Sequence, residues 1–384
     1  MHGRAVLVRC DFNVPLEDGR ITDDLRIQAT IPTIERLLDR GAALVLCSHL
    51  GRPKGQVVEA YRLDPVADRI RELLNRDVAK LDEVVGASVT KAVADADPGS
   101  VTLLENLRFD RREEPNDPGF ADALAALADV YVNDAFGAAH RAHASVVGVA
   151  ERLPSAAGLL MQREVEVLSR LLTEAEPPFV AILGGAKVSD KLAVVGSLVD
   201  RVDALLIGGA MAFSFLAAAG GEVGRSLVEP DHYDDVRAAV QKADQRGVLL
   251  QLPEDVVTAA EPKVEAKKET VRADAIPRDL MGLDIGPRTV EEFARIIADA
   301  KTILWNGPMG MFELEPFSAG TRGVAYAVAG SQAFTVVGGG DSLAALRKFE
   351  LVDHVDHLST GGGASLEFLE GRELPGVAVL TTED

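Results

Sequence analysis

Several common functional marks are scarce or missing in this 384-residue chain. Cysteine is nearly absent: Cys10 and Cys47 are the only two. Neither belongs to a Cys-x-x-Cys pair, and each sits in an apolar, strand-like run. Buried free thiols in a reducing compartment are therefore expected, not a disulfide framework or a metal site. Aromatic residues make up only 5% of a chain that is 47% hydrophobic, so the core must be aliphatic. That composition suits an α/β protein whose buried parallel strands read as continuous apolar runs. Positive charge is short as well, with 40 Lys and Arg against 60 Asp and Glu, a net −20 at pH 7. Nucleic acid and anionic membranes call for a basic face, so neither is expected as a partner. A small anionic substrate stays possible if positive side chains are concentrated locally. No apolar run approaches the roughly 18 residues of a membrane span, and no charged-then-apolar leader pattern opens the chain. A soluble, cytoplasmic protein is the expectation. Gly-Lys-Ser, Gly-Lys-Thr and Gly-x-Gly-x-x-Gly do not occur, which excludes a P-loop and the dinucleotide fingerprint.

What is present is alternation. Candidate strands are AVLVRC (5–10), ALVLCS (43–48), VTLLEN (101–106), VYVND (130–134), FVAILG (179–184), ALLIGG (204–209), VLLQLP (248–253), TILWNG (302–307) and FTVVGG (334–339). Between them lie helix-period stretches such as IQATIPTIERLLDRG, FADALAALA, YDDVRAAVQKADQRG and VEEFARIIADA. This pattern predicts mostly parallel sheets with helices on both faces, and ligands beyond the carboxyl ends of the strands. At about 150 residues per domain, the length suggests two or three domains. The best boundary lies near 157–178, where GLLMQREVEVLSRLL places Met161, Val165, Leu168 and Leu172 on one helical face. Pro177 and Pro178 end that segment, which reads as a hinge. The mixed-sign run EPKVEAKKET (261–270) reads as a solvated loop or strand edge.

Strand-like runs break repeatedly into glycine. AILGGAKVSDKL, LLIGGAMAF, ILWNGPMGMFE, VVGGGDSLAAL and HLSTGGGAS do so in the second half, and SHLGRPKG in the first. Glycine lets backbone N–H groups approach a ligand, and a following helix adds a dipole that favours phosphate. Together these breaks suggest a nucleotide phosphate site. Lys187 and Lys191, four residues apart, are predicted to share a helical face. Asp341 after three glycines reads either as a helix N-cap or as a magnesium ligand. Asn306 and Glu313 could hold the nucleoside, and 360–363 form another helix start rich in N–H groups.

First-half strand ends carry a different chemistry: Asp11 and Asn13, Arg26, His49 and Arg52, Arg108, then His140 and Arg141. Arginine offers a planar fork of donors matched to carboxylate and phosphate. As a set these residues fit a small, multiply anionic substrate. His140-x-x-His143 has no third ligand in sequence to make a metal site.

In order and spacing, DFNVP, HLGRP, ENLRF, AHRAH, GGAKVSDK, MGLDIGP, WNGPMGMFE, GGGDS and STGGGASLE resemble phosphoglycerate kinases over essentially the whole chain. The resemblance implies an α/β protein of two Rossmann-like three-layer domains with mostly parallel sheets, joined by a hinge helix. Residues 1–157 would bind 3-phosphoglycerate or 1,3-bisphosphoglycerate, 158–178 would be the hinge helix and linker, and 179–364 would bind ADP or ATP. The tail from about 365 to 384 would pack back on the first domain. The implied phosphoglycerate contacts are Asp11, Asn13, Arg26, His49, Leu50, Gly51, Arg52, Arg108 and Arg141. Ala186, Lys187, Lys191, Gly282, Asn306, Glu313, Gly339, Gly340, Asp341 and Ser342 would contact the nucleotide, with Asp341 on Mg²⁺. Arg26, Lys191, Gly361 and Gly362 would surround the phosphoryl group in transit. Two departures bear on stability: the family usually has a longer segment before the first strand, and Cys10 replaces another small or apolar residue.

The reaction implied is Mg²⁺-dependent phosphoryl transfer from 1,3-bisphosphoglycerate to ADP and the reverse, in glycolysis, by a cytoplasmic monomer. Both nucleophiles are already ionised, so the protein would supply positioning, charge neutralisation and hinge closure without a general base. Another carboxylate-phosphorylating kinase, an ATP-dependent ligase and a non-catalytic two-domain ligand sensor are the alternatives.

Overall fold

A computed structural model describes residues 2–380 of the chain. It divides into two compact units, Met1–Glu166 with Glu373–Asp384, and Val167–Arg372. Each is built on a six-stranded sheet in which every pairing is parallel.

The first unit contains β1 (Ala5–Arg9), β2 (Ala43–Cys47), β3 (Ala79–Lys80), β4 (Val101–Leu103), β5 (Val130–Asn133) and β6 (Ser155–Ala157), in the order β3-β4-β2-β1-β5-β6. Side chains alternate along a strand, and here both faces are buried. Val6, Val8, Leu44 and Leu46 pack on one face with Ile27, Ile34, Val66 and Ile70. Leu7, Val45 and Cys47 pack on the other with Val89, Phe120 and Leu124. Those partners come from helices Leu25–Leu38 (α1) and Asp64–Leu74, and from Ala87–Ala94 and Pro118–Ala125. Helices therefore cover both faces, as the continuous apolar runs require. Cys10 and Cys47 are both buried free thiols, on opposite faces of the sheet. The Asp18–Gly19 turn, with φ of 49° and 75°, closes a two-stranded hairpin, Leu16–Glu17 with Arg20–Ile21, that periodicity had not revealed.

The second unit contains β7 (Phe179–Leu183), β8 (Ala204–Ile207), β9 (Leu249–Gln251), β10 (Thr302–Asn306), β11 (Phe334–Gly338) and β12 (His357–Ser359), in the order β9-β8-β7-β10-β11-β12. Strands β7, β8 and β10 are buried at every position. Each such aliphatic side chain contributes roughly 1.5–3 kcal/mol. A three-stranded antiparallel sheet, Glu269–Arg272, Asp255–Ala259 and Met281–Ile285, lies outside the alternating pattern. The EPKVEAKKET segment runs into its first strand at Glu269.

Helix α2 (Leu159–Thr173) crosses the division between the units at 166/167. Its buried residues are Met161, Glu164, Val167, Leu168 and Leu171, whereas Val165 and Leu172 are half-buried. The predicted face is thus rotated by about one residue. Residues 363–369 form a helix of the second unit, and the chain joins the first unit from Glu373. There Gly376 N–H donates to the Ala139 carbonyl at 2.8 Å, and Asn133 Nδ2 to the Gly376 carbonyl at 3.3 Å. Among the described residues no helix is long and apolar enough to cross a membrane.

Candidate active site

In both units the strand order reverses once, between β1 and β5 and between β7 and β10. Such switch points open a crevice at the carboxyl ends of the strands, and the candidate residues gather around them.

In the first unit, Asp11 follows β1, is 4% exposed, and pairs with Arg26 at 3.1 Å. Arg26 also donates to the Asn13 carbonyl at 3.2 Å. Sequence order had put Arg26 at a strand end; it lies in the first turn of α1. Asn13 Oδ1 accepts from Gly51 N–H at 2.9 Å, and Arg108 Nη1 donates to the Gly51 carbonyl at 2.8 Å. Arg108 is buried in a 3₁₀ turn, Leu107–Phe109, with Glu114 at 3.4 Å from its Nε. That nitrogen has no hydrogen-bond partner among the described residues. Burial, reinforced by Arg141 and Arg9, lowers the Arg108 pKa. Arg141 is half-buried and donates to His140 Nε2 at 3.2 Å. Arg52 is exposed and makes no ion pair or side-chain hydrogen bond among the described residues.

His49 is buried, and burial first, then Arg9, Arg108 and Arg26, holds its pKa well below the usual imidazole range. It is therefore neutral. Arg9 Nη2 lies 3.1 Å from His49 Nδ1. A guanidinium can only donate, so Nδ1 accepts and the ring proton sits on Nε2. The 4.0 Å approach of Asp11 Oδ1 to the same nitrogen carries no charge pairing, because the ring is uncharged.

Residue-by-residue reading passed over the buried frame behind these groups. Arg9, 1% exposed, donates from Nε to Ser145 Oγ at 2.9 Å. Ser145 in turn donates to Glu113 through Oγ at 2.6 Å and N–H at 3.0 Å. Ser145 sits in a π-helical turn, Ala144–Gly148, an irregularity frequent at functional sites. His143 lies 3.8 Å from Glu113, but burial and neighbouring arginines push its pKa down to about 3, so it too is neutral. Asn106 fixes the 49–51 loop: Oδ1 accepts from Leu50 N–H at 3.2 Å, and Nδ2 donates to the Leu50 carbonyl at 2.8 Å.

In the second unit, Lys191 marks the switch point. Its Nζ donates to the Gly184 carbonyl at 2.6 Å and the Asn306 carbonyl at 2.7 Å, at the ends of β7 and β10. Burial lowers its pKa to about 8, with Asp341 and Asp190 opposing the shift. Lys187 does not share a helical face with it. The helix begins at Leu192 with Lys191 as its N-cap, and Lys187 is exposed in the preceding turn.

A cavity of about 360 Å³ lies beside these strand ends, with Ala186, Gly282, Met309, Glu313 and Asp341 in its wall. Glu313 and Asp341 are exposed. Asp341 is not a helix cap: helix Gly340–Lys348 is capped by Gly339, with no side-chain cap hydrogen bond, and Asp341 lies inside its first turn. Ser342 Oγ accepts from Gly307 N–H at 2.6 Å. Gly361 and Gly362 precede helix Gly363–Leu369, which also lacks a capping side chain.

The glycine breaks at 184–185 and 208–209 serve packing before ligands. Gly184 N–H donates to Asn306, Gly185 N–H to Pro308, Gly208 N–H to Leu183 and Gly209 N–H to Met309 carbonyls. A Cβ on Gly184 would lie 2.1 Å from the Pro308 oxygen, and Gly209, at φ +63°, has Gly185 N within 2.5 Å of that position. Backbone lies against backbone there, and only glycine fits. The helix starts at 339–341 and 361–363 keep the phosphate-binding potential. No group of three or more His, Cys, Asp or Glu that could hold a metal exists among the described residues, so His140 and His143 form no such centre.

A family model described as phosphoglycerate kinase matches residues 1–372. A phosphoglycerate kinase of Moorella thermoacetica is 56% identical over 99% of the chain and 97% of its own length. One from Rubrobacter xylanophilus is 58% identical over 99% and 96%. The solved phosphoglycerate kinase of Coxiella burnetii superposes with a TM-score of 0.87 at 42% identity, over 99% of this chain and 96% of that one. That of Pyrococcus horikoshii gives 0.88 at 34% identity, with the same coverages of 99% and 96%.

Proposed function

The chain belongs to the phosphoglycerate kinase family, and on that premise we propose which of its residues hold each substrate. It is an enzyme, a phosphotransferase with a carboxyl acceptor, and it moves a phosphoryl group reversibly between 1,3-bisphosphoglycerate and ADP, giving 3-phosphoglycerate and ATP. The alternatives of another carboxylate kinase, a ligase or a sensor find no support among relatives 56–58% identical.

In this reading the first unit binds the phosphoglycerate through Asp11, Asn13, Arg26, His49, Leu50, Gly51, Arg52, Arg108 and Arg141. Neutral His49 offers its Nε2 proton as a donor, while the arginines supply charge. The second unit binds the nucleotide in the 360 Å³ cavity, whose wall includes Ala186, Gly282, Glu313 and Asp341, and also through Lys187, Lys191, Asn306, Gly339, Gly340 and Ser342. Arg26, Lys191, Gly361 and Gly362 serve the phosphoryl group itself. One observation carries the assignment: a protonatable lysine sits at the switch point beside Asp341, while arginines ring the equivalent strand ends of the other unit. Each arrangement suits a different anion.

Magnesium fits one place. Asp341 is an exposed carboxylate in the cavity wall that makes no side-chain hydrogen bond or ion pair among the described residues. Magnesium favours one or two carboxylates together with phosphate oxygens. Bound there, it would neutralise charge on the nucleotide phosphates. Neither nucleophile needs a base, so protein groups act by orientation and charge. Substrates held on separate units react only when brought within about 3–3.5 Å, and α2 is the hinge that reading requires. A cytoplasmic monomer without nucleic-acid or membrane partners completes the proposal, supported by the −20 charge and two buried thiols.

The test pairs two exposed residues. Arg52→Ala should weaken 3-phosphoglycerate binding and leave ADP binding unchanged, and Lys187→Ala the reverse, by calorimetric titration of each ligand. Crossed effects would reject the assignment of substrates to units.

A further inference from the structure

Beyond the residues assigned to the substrates, a chain of hydrogen bonds runs from the wall of the nucleotide cavity, where Asp284 lies, into the core, and it has no role in the reaction as described above. It begins at Asp284, 3% exposed, in strand Met281–Ile285. Its Oδ2 accepts from Gly320 N–H at 2.6 Å and its Oδ1 from Ile285 N–H at 3.0 Å. Gly320 lies in the first turn of helix Ala319–Ala329, whose N-cap, Ser318, makes no side-chain cap hydrogen bond. Asp284 therefore caps that helix from a neighbouring strand.

The next residue continues the chain. Thr321 Oγ1 accepts from Met309 N–H at 3.0 Å and from Gly310 N–H at 3.2 Å. Two successive amides of the 308–310 loop thus converge on one hydroxyl. On its other side the same loop receives Gly185 N–H at the Pro308 carbonyl and Gly209 N–H at the Met309 carbonyl, each at 3.1 Å. Gly310 completes the seat, since a Cβ there would fall 2.2 Å from Asp284 Oδ1. Gly185, Gly209, Met309 and Gly310 all line the cavity.

We propose that Thr321 and Asp284 are positioning residues that set the shape of the nucleotide cavity by pinning the 308–310 loop against the glycine turns at 185 and 209. The assignment rests on the cavity being the nucleotide site. Thr321 is buried and touches the loop, and it is absent from the cavity wall. Its effect must pass through backbone placement. Removing the hydroxyl strands one buried and one part-buried N–H group, which relax outward or inward and misplace the cavity wall.

The experiment compares Thr321→Val, which keeps the shape without the hydroxyl, with Thr321→Ser, which keeps the hydroxyl. The valine variant should raise the ADP Kd and KM by about tenfold. The serine variant should stay within about twofold of the parent, and the 3-phosphoglycerate KM should not move in either. ADP affinity equal to the parent's in the valine variant overturns the assignment, as does equal weakening in both. Because valine could disturb folding, hydrogen exchange on the unsubstituted protein supplies a second measurement. Met309 and Gly310 amides should exchange as slowly as those of β10, and rapid exchange overturns the assignment. If the parent binds no ADP, the nucleotide reading fails by itself, while the exchange result still judges the pinned loop.

Discussion

The Lys191 ammonium is 2.7 Å from the Asn306 carbonyl oxygen, so the side chain of a helix N-cap is held on the backbone of a strand end. Burial lowers its pKa to about 8. In the free enzyme it loses its charge as pH rises through that value. kcat/KM for ADP should therefore fall above about pH 8 with a single ionisation. Bound phosphates favour the charged form, so the corresponding limb in kcat should lie at higher pH. Lys191→Arg should abolish the limb in kcat/KM. A profile unchanged by that substitution assigns the ionisation elsewhere.

Asp341 stands in the first turn of its helix without capping it. Removal should therefore leave stability within about 0.5 kcal/mol of the parent. Asp341→Ala should weaken magnesium-dependent ADP binding while the 3-phosphoglycerate Kd holds. Titrations of ADP with and without magnesium check this. An undiminished magnesium dependence in the variant removes the residue from the metal.

Arg26 and Arg52 should separate catalysis from binding. Arg26 is anchored on Asp11 and the Asn13 carbonyl, and is assigned to the phosphoryl group in transit. Arg26→Ala should lower kcat by about 10²–10³-fold with little change in KM, by analogy with losing one oxyanion donor. Exposed and unpaired among the described residues, Arg52 should act in ground-state binding, so Arg52→Ala should raise the 3-phosphoglycerate KM with kcat and melting temperature nearly unchanged. Added sulfate should compete in the parent. A large KM effect at unchanged kcat in Arg26→Ala would make that residue an ordinary anchor.

Asp134 should contribute a pH dependence of stability. Its Oδ1 accepts from Leu160 and Met161 N–H at 2.9 and 3.2 Å, at the start of α2. Burial pushes its pKa up to about 7. The folded protein then holds a proton that the unfolded chain releases near pH 4. The contribution is fully present below about pH 4 and is lost as pH rises through 7, on the order of a few kcal/mol. Asp134→Asn keeps Oδ1 as acceptor and cannot ionise. Its melting temperature should vary less between pH 5 and 8 than the parent's. Parallel curves would assign the proton to another group.

The sheet strands were legible because burial on both faces leaves an unbroken apolar signature, as in FVAIL and TILWN. Ala79–Lys80 and Ser155–Ala157 were missed because two or three residues carry no period, whereas His357–Ser359 showed only as the short run before the 361–363 glycines. The helical face assumed for Lys187 and Lys191 failed because 186–190 is a turn whose Val188 carbonyl receives both Lys191 and Leu192 N–H. Candidate site residues stood out because charged groups just after apolar runs are conspicuous. Arg9, Asn106, Glu113 and Thr321 did not, since their partners lie far away in sequence. Such residues look like ordinary core or loop positions until the fold assembles their neighbours.

The first unit ends its sheet before residue 160 but takes its last packing segment from beyond 372. Val379 and Leu380 lie against the same cluster as Phe120 and Leu124. During vectorial synthesis, the half made first must therefore wait, with part of that surface bare, while the whole second unit is translated. The second unit is continuous and can finish earlier. Order of synthesis and order of completion are thus reversed between the two units, and residues 373–380 close the part begun first.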